Sequence, residues 1–179
     1  VLRTTVVEHQ HTGARSIAAA VRENNNSMDA QSTTAPPLTN ALTVDVEDYF
    51  QVSALAPHIE RASGDARPCR VERNVQRLLA MFDERGATAT FFTLGWVAER
   101  YPQLVRDIVA GGHELASHGY GHQRASEQSP DEFRQDLLRA KGLLEDIGGR
   151  PVVGYRAPSF SIGHGNLWAF DVLLETGHR

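Results

Sequence analysis

Residues 114–122 have the sequence Glu114-Leu115-Ala116-Ser117-His118-Gly119-Tyr120-Gly121-His122. A short, largely apolar run that predicts a strand leads directly into two histidines four residues apart. Two imidazoles at this spacing lie on the same side of a tight turn, where they can share one metal ion with a third ligand. A pair of histidines beside a turn is also compatible with a purely structural role. Which interpretation holds depends on the other residues brought to the same place.

Strand and helix patterns alternate along the chain on both sides of this stretch. Residues 41–46, 87–94, 113–117 and 152–155 are predicted strands, rich in β-branched, aromatic or other apolar residues. Apolar residues at helical spacing predict helices over 71–85, 102–110, 130–147 and 167–175. The run Ser129-Pro130-Asp131-Glu132 is a capping box with proline at the first helical position. This alternation predicts βαβ units and a parallel sheet, either open or closed into a barrel.

Polar residues follow three of the predicted strands. In open and closed parallel sheets alike, the ligand site lies at the carboxyl ends of the strands. The residues found there are Asp45, Glu47, Asp48, His118, His122 and Arg156. Packing several acids together is unfavourable unless a cation or a proton-transfer role compensates. Arg156 could be an ordinary surface ion-pair partner, or it could hold one of these carboxylates in position.

Composition limits the classes of function. The chain has 179 residues, enough for one domain with a core, and 41% hydrophobic and 22% charged residues are ordinary for a globular protein. A net charge of −4 gives no basic surface for nucleic acid. No apolar run approaches the roughly 20 residues of a membrane span, and none suits a signal peptide, which favours a cytoplasmic location. Cys69 is the only cysteine, so no intrachain disulfide is possible.

The N-terminal segment differs in composition from the rest. Residues 1–40 contain no aromatic residue and are rich in threonine, asparagine, glutamine, serine and alanine. Such a segment has little apolar surface to bury and cannot offset the entropy of ordering. We therefore predict a disordered polar leader over residues 1–40 and a folded domain over 41–179.

Three motifs resemble those of NodB-type polysaccharide deacetylases, which form carbohydrate esterase family 4. They are Thr43-Val44-Asp45-Val46-Glu47-Asp48, Ser117-His118-Gly119-Tyr120-Gly121-His122 and Arg156-Ala157-Pro158. The exopolysaccharide-linked branch is matched more closely still, through residues 45–50, 90–96 and 154–160. The resemblance spans residues 41–179 and implies a distorted (β/α) barrel of the NodB type, incomplete at the C-terminus.

The resemblance also implies a divalent metal, usually zinc, bound by one acid and two histidines. The histidines correspond to His118 and His122. The family's acid ligand usually follows directly after its catalytic base, but Val46 stands at that position. Glu47 or Asp48 must then be the ligand, and strand alternation, which places Glu47 on the same face as Asp45, favours Glu47.

The remaining roles come from the same resemblance. Asp45 matches the general base, Arg156 the arginine that orients it, and Ser159 the residue whose backbone N–H binds the oxyanion. The family's catalytic acid is a histidine in a later motif that is absent here. His178 follows a predicted helix and matches no motif, so it is not assigned this role. We therefore expect the 179-residue chain to be weakly active or inactive.

The implied function is metal-dependent removal of N-acetyl groups from an amino-sugar polysaccharide or oligosaccharide, in exopolysaccharide modification. Two alternatives remain at this point. One is a NodB-like amidohydrolase that acts on a small amide such as allantoin. The other is an inactive remnant that binds metal or glycan without turnover.

Overall fold

A computed structural model describes residues 4–8 and 40–179 of the chain. The strands are β1 (Thr4–Glu8), β2 (Asn40–Val46), β3 (Thr90–Thr93) and β4 (Glu114–Ser117). The α-helices are α1 (Val71–Arg85), α2 (Gly95–Arg100), α3 (Pro102–Ala110), α4 (Pro130–Gly148) and α5 (Trp168–Glu175). None of the helices in the described ranges is long and apolar enough to cross a membrane.

The sheet has the order β1-β2-β3-β4, and the last three strands are parallel. Val46 is opposite Thr93, and Thr93 is opposite Ser117, so the carboxyl ends of the three strands are level. This arrangement confirms the predicted fold class, a mixed α/β fold with the parallel sheet of a NodB-type barrel, of which the described residues form part.

Strand β1 departs from the prediction. Residues 4–8 pair antiparallel with β2, with Thr4 opposite Val44, although they belong to the segment predicted to be disordered. The prediction of disorder is therefore wrong for these five residues. The rest of the predicted leader up to residue 39 lies outside the described residues, and β2 begins at Asn40.

The predicted strand over residues 152–155 reduces to a single parallel bridge between Ser117 and Tyr155. The segment still lies beside β4, because Ser117 N–H donates to Gly154 O at 2.9 Å. Val152, however, is bonded to helix α4 and not to a strand: its N–H donates to Glu145 Oε1, and its carbonyl accepts from Lys141. Side chains of α4 thus form the hydrogen bonds with Val152 that a neighbouring strand would form if the strand were longer.

The core lies between the sheet and the helices α1, α3 and α4. Each helix buries the apolar face that its sequence predicts, including Val71, Val75 and Phe82 of α1 and Phe133, Leu137, Ala140 and Leu144 of α4. The helix ends are also as predicted: Gly86 ends α1 with φ 60°, and the Ser129 capping box opens α4. Burying these faces fixes the sheet, and with it the positions of the strand ends.

Candidate active site

Strand β2 delivers the acidic residues. Val44 and Val46 point into the core and are fully buried, so alternation directs Asp45 to the other face. Glu47 follows directly after the last strand residue and is 5% exposed. Asp45 and Glu47 both line a pocket of about 370 Å³ at the carboxyl ends of the strands.

The loop from His118 to His122 is held in place by contacts with three neighbouring elements. His118 N–H donates to Thr93 O of β3 at 3.1 Å. The first two N–H groups of α2 donate to the carbonyls of Gly119 and Tyr120, each at 2.9 Å. Tyr120 N–H donates to Asp136 Oδ2 of α4 at 3.0 Å. The loop is therefore part of the rigid framework.

Two positions in this loop require left-handed backbone. Gly119 has φ 74°, and a Cβ there would lie 2.7 Å from Asp136 Oδ2, so only glycine fits. His122 has φ 59°, which is uncommon for a residue with a side chain. Strained conformations of this kind concentrate at functional sites, where the surrounding structure enforces them. Here the turn brings the His122 ring to 5.1 Å from the His118 ring, centroid to centroid.

Glu47, His118 and His122 converge on one point. Each offers one ligand atom, these atoms lie within 4.8 Å of one another, and all three residues are buried. Glu47 Oε2 is 2.9 Å from His122 Nε2, so a carboxylate oxygen and an imidazole nitrogen lie side by side in the buried cluster. Two imidazoles and one carboxylate form a known ligand set for catalytic zinc.

The tautomer of His118 suits metal binding. Its Nδ1 is 2.7 Å from the carbonyl oxygen of Arg156, and because a carbonyl only accepts, Nδ1 must carry the proton. Nε2 then presents its lone pair. Metal-binding histidines commonly donate their second N–H to a carbonyl in this way, which fixes the ring orientation. The described residues therefore fit a divalent cation.

The pKa shifts of Glu47 and His118 lie in the direction that metal binding requires. Burial by itself would raise the pKa of Glu47, but the hydrogen bond from His122 and the nearby imidazoles of His122 and His118 outweigh burial and hold that pKa below its ordinary value. Burial lowers the pKa of His118, against the opposing effect of Asp45. An ionised carboxylate and a neutral imidazole are the forms that bind metal ions.

Asp45 is joined to Arg156, as the sequence predicted for a base and its orienting residue. Arg156 Nη1 donates to Asp45 Oδ1 at 2.5 Å, and Nη2 donates to Thr43 Oγ1 at 2.9 Å. The guanidinium also lies over the Phe92 ring, 4.0 Å from its centroid. Contacts on three sides leave Arg156 one orientation. Sequence reasoning missed Thr43 and Phe92, although both belong to predicted strands.

Asp48, the alternative acid ligand, is directed away from the triad. Its Oδ2 accepts from the backbone N–H groups of Arg70 and Val71 at the start of α1, and from Cys69 Sγ at 3.0 Å. Its Oδ1 accepts from Tyr49 N–H at 2.8 Å. With both oxygens bonded in this way, Asp48 anchors a helix, and the acid that lies with the two histidines is Glu47.

Ser159 lies at the rim of the pocket. It belongs to a 3₁₀ turn, Pro158–Phe160, and has φ 54°. Its hydroxyl is 2.6 Å from that of Ser53, on the segment that follows β2, and both serines line the pocket. At the start of such a turn the first N–H groups have no partner within the turn, so the Ser159 N–H is available to a ligand. Sequence reasoning missed Ser53.

His178, which the sequence left unassigned, does not line this pocket. Its Nδ1 is 2.9 Å from Thr176 Oγ1, and its ring packs against Tyr155 with centroids 5.8 Å apart. Among the described residues, the titratable groups in the pocket lining are Asp45, Glu47, His118, His122 and Arg156. The structure therefore gives His178 a packing position.

Comparison with known proteins identifies the family. The family model for polysaccharide deacetylase matches residues 64–169, more than half of the chain. The chain belongs to this family. The matched range includes His118, His122, Arg156 and Ser159, and it begins after Asp45 and Glu47.

Individual relatives agree with this assignment. A peptidoglycan deacetylase from Helicobacter pylori is 28% identical over 72% of this chain, and a chitooligosaccharide deacetylase from Azorhizobium caulinodans is 34% identical over 42%. A solved structure from Mycobacterium smegmatis, provisionally assigned as a polysaccharide deacetylase, is 33% identical over 76% of the chain, with a TM-score of 0.64. The chain spans 45%, 36% and 48% of these three proteins, respectively.

Proposed function

We propose that this polysaccharide deacetylase family member hydrolyses the N-acetyl groups of an amino-sugar polymer with the help of one divalent cation, zinc being the preferred ion. The observation that carries the proposal is the convergence of Glu47, His118 and His122 beside the Asp45–Arg156 pair in one pocket. In exopolysaccharide modification, the role suggested by the sequence resemblance, the product would be a partly deacetylated chain.

Glu47, His118 and His122 would hold the cation. When bound, it supplies a Lewis acid that polarises the acetamide carbonyl and increases the acidity of water. Asp45 is the base that takes a proton from the attacking water, and Arg156 fixes the direction of its carboxylate. Asp45 and the triad line the same pocket, which supports attack and deprotonation on the same side of the carbonyl.

The tetrahedral oxyanion needs a hydrogen-bond donor that does not move during the reaction. The N–H of Ser159 is such a donor, because the 3₁₀ turn and the Ser53 contact hold its backbone. Collapse of this species breaks the C–N bond, releases acetate and leaves an amine that must gain a proton. Asp45, protonated in the first step, is the group in the described lining that has a proton to return.

The chemistry of the site and the relatives support the proposed substrate class. Proteins similar to this chain are named as deacetylases of peptidoglycan and of chitooligosaccharides, and both of these substrates carry acetamido groups on sugar rings. A pocket with a cation site, a base and an oxyanion donor is suited to such an amide. We therefore favour an N-acetylated polysaccharide over a small amide as substrate.

The proposal is tested by metal content and acetate release in the full natural chain. Purified wild type should carry about one divalent cation, and His118→Ala and His122→Ala should lose it, whereas the exposed His164→Ala should not. Asp45→Asn should keep the metal and lose about 10²–10⁴-fold in acetate release from an N-acetylglucosamine oligomer. Equal metal content in all variants, or wild type that binds metal and oligomer without releasing acetate, would overturn the proposal.

A further inference from the structure

The aromatic ring of Phe160 stands at the rim of the proposed catalytic pocket. Phe160 lines this pocket and is 83% exposed, more than any other large hydrophobic residue in the range 40–179. Single exposed apolar residues are common on protein surfaces. An exposed phenyl ring at the rim of a pocket that contains charged residues is different, because aromatic faces contribute strongly to binding where a ligand covers them.

The backbone that carries this ring is strained. Ser159 and Phe160 are consecutive residues with φ 54°, a left-handed conformation that residues with a Cβ avoid. Of the three described non-glycine residues with positive φ, the third is His122 of the triad. All three residues line the same pocket. Strain that recurs around one pocket indicates a functional constraint on the positions of these side chains.

The turn is also fixed at both ends, so the ring cannot fold inward without breaking contacts. Ser159 is held by the Ser53 hydroxyl at 2.6 Å. On the other side of Phe160, Ser161 Oγ accepts from Ala125 N–H at 2.9 Å, and Ser161 O accepts from Asn166 Nδ2 at 2.9 Å. Rigid presentation lowers the entropy that a binding group loses when it meets its ligand.

We propose that Phe160 is a stacking platform for a pyranose ring of the substrate chain. This inference rests on the proposed function and extends it to substrate choice. A hexosamine ring has an apolar face of C–H groups and a polar edge of hydroxyls, and a phenyl ring matches the first while leaving the second to water. The acetamide would enter the pocket toward the triad while a sugar ring of the chain lies against Phe160. A small amide has no such ring and would gain nothing from Phe160.

The test is direct binding of an N-acetylglucosamine tetramer to the full natural chain, measured by calorimetry, with acetate release as a second readout. Phe160→Ala should weaken tetramer binding about tenfold, the change expected for the loss of one aromatic contact. Phe160→Trp should bind within about twofold of wild type, and Phe160→Leu should behave like Phe160→Ala. Phe170→Ala is the matched control, because Phe170 is 53% exposed on α5 and does not line the pocket.

The outcomes separate the two proposals. Wild type that binds the tetramer without releasing acetate, with Phe160→Ala weakened, would overturn the enzymatic function and support the platform. Equal binding by wild type and Phe160→Ala would overturn the platform, whatever the activity. Full binding by Phe160→Leu would also overturn it, because any apolar side chain would then suffice. No binding by wild type would overturn both.

Discussion

Replacing Asp48 with asparagine should destabilise the fold and leave metal binding intact. Replacing the adjacent Glu47 with glutamine should weaken metal binding and leave the fold intact. The two acids are neighbours in sequence and are both nearly buried, at 2% and 5% exposure. Their contacts differ completely. Asp48 accepts from backbone N–H groups and a thiol, whereas Glu47 faces the two histidines.

The magnitude for Asp48 follows from its partners. Oδ2 accepts from Arg70 N–H and from Val71 N–H, the latter at 2.9 Å, and an asparagine amide nitrogen in that place would offer them a donor. A flipped amide would restore them and leave Tyr49 N–H facing the amide nitrogen, without an acceptor. A buried donor without a partner costs about 1–3 kcal/mol, so the variant should lose about that much in the free energy of unfolding.

Urea unfolding followed by circular dichroism measures this loss of stability. Calorimetric titration with Zn²⁺ at a low urea concentration measures the affinity of the metal site. Asp48→Asn should bind Zn²⁺ within about threefold of wild type. Glu47→Gln should bind more than about 100-fold more weakly, since a ligand is lost outright. A folded Asp48→Asn that no longer binds Zn²⁺, together with a Glu47→Gln that does, would refute the assignment of the two acids.

The pH dependence of Asp48 gives a second check on the same reasoning. Burial opposes its ionisation, but hydrogen bonds from Cys69 and from backbone N–H groups outweigh burial and hold the pKa of Asp48 below its ordinary value. A carboxyl whose pKa is lower in the folded state stabilises the fold above its ordinary pKa, and that stabilisation is lost as pH falls through the folded value. The difference between wild type and Asp48→Asn should therefore shrink in acid.

Two further predictions concern packing and pH. Gly95→Ala should lower the free energy of unfolding by about 1–2 kcal/mol, because its Cβ would lie 2.8 Å from the Tyr120 ring. Gly142→Ala has open space around it in α4 and should raise the free energy of unfolding by about 0.5–1 kcal/mol. Urea unfolding measures both changes. Burial lowers the pKa of His178 to about 4, so the free energy of unfolding of wild type should fall by up to about 3 kcal/mol between pH 6.5 and pH 4. His178→Gln should lose less over this range. The control, replacement of the exposed His164 with glutamine, should lose as much as wild type. A Gly95→Ala as stable as wild type, or equal pH slopes in all three proteins, would contradict the respective argument.

The long helices could be predicted from sequence because their signals are local. In α4 the capping box, the proline at the first position and the buried apolar face all lie within the helix itself. Helix α2 was missed because what defines its start is a tertiary contact. Its first N–H groups, those of Gly95 and Trp96, donate to the carbonyls of Gly119 and Tyr120. No spacing within residues 95–100 contains that information.

Strand β1 was missed for a different reason. The run Thr4-Thr5-Val6-Val7 is β-branched throughout, a pattern typical of strands, but it is surrounded by polar sequence with nothing to bury. Its hydrogen-bonding partner is β2, which begins at Asn40. A strand that pairs with a distant edge is stabilised by that edge, so composition within its own neighbourhood underestimates it.

The candidate site likewise has features that local sequence predicts and one that depends on a distant contact. The spacing of His118 and His122 and the order of the strands were enough to bring the histidines, Asp45 and Arg156 together, because the register of parallel strands makes their ends level. Strand alternation favours Glu47 over Asp48 as the acid beside the histidines but does not decide between them. What separates them is the start of helix α1, at Arg70 and Val71, more than twenty positions along the chain.

A sequence signal for that separation did exist, in the helix and not in the acids. Helix α1 begins after Arg70, a residue whose side chain offers no hydrogen-bond acceptor, and no side chain of its own caps it. The first N–H groups of a helix that starts in the interior must find an acceptor, and a carboxylate is also favoured there by the helix dipole. A helix start without a local cap therefore needs an acceptor from elsewhere in the chain, and a carboxylate suits this position well. Asp48 meets that requirement, and once it is bonded there, Glu47 is the acid that remains to join the two histidines.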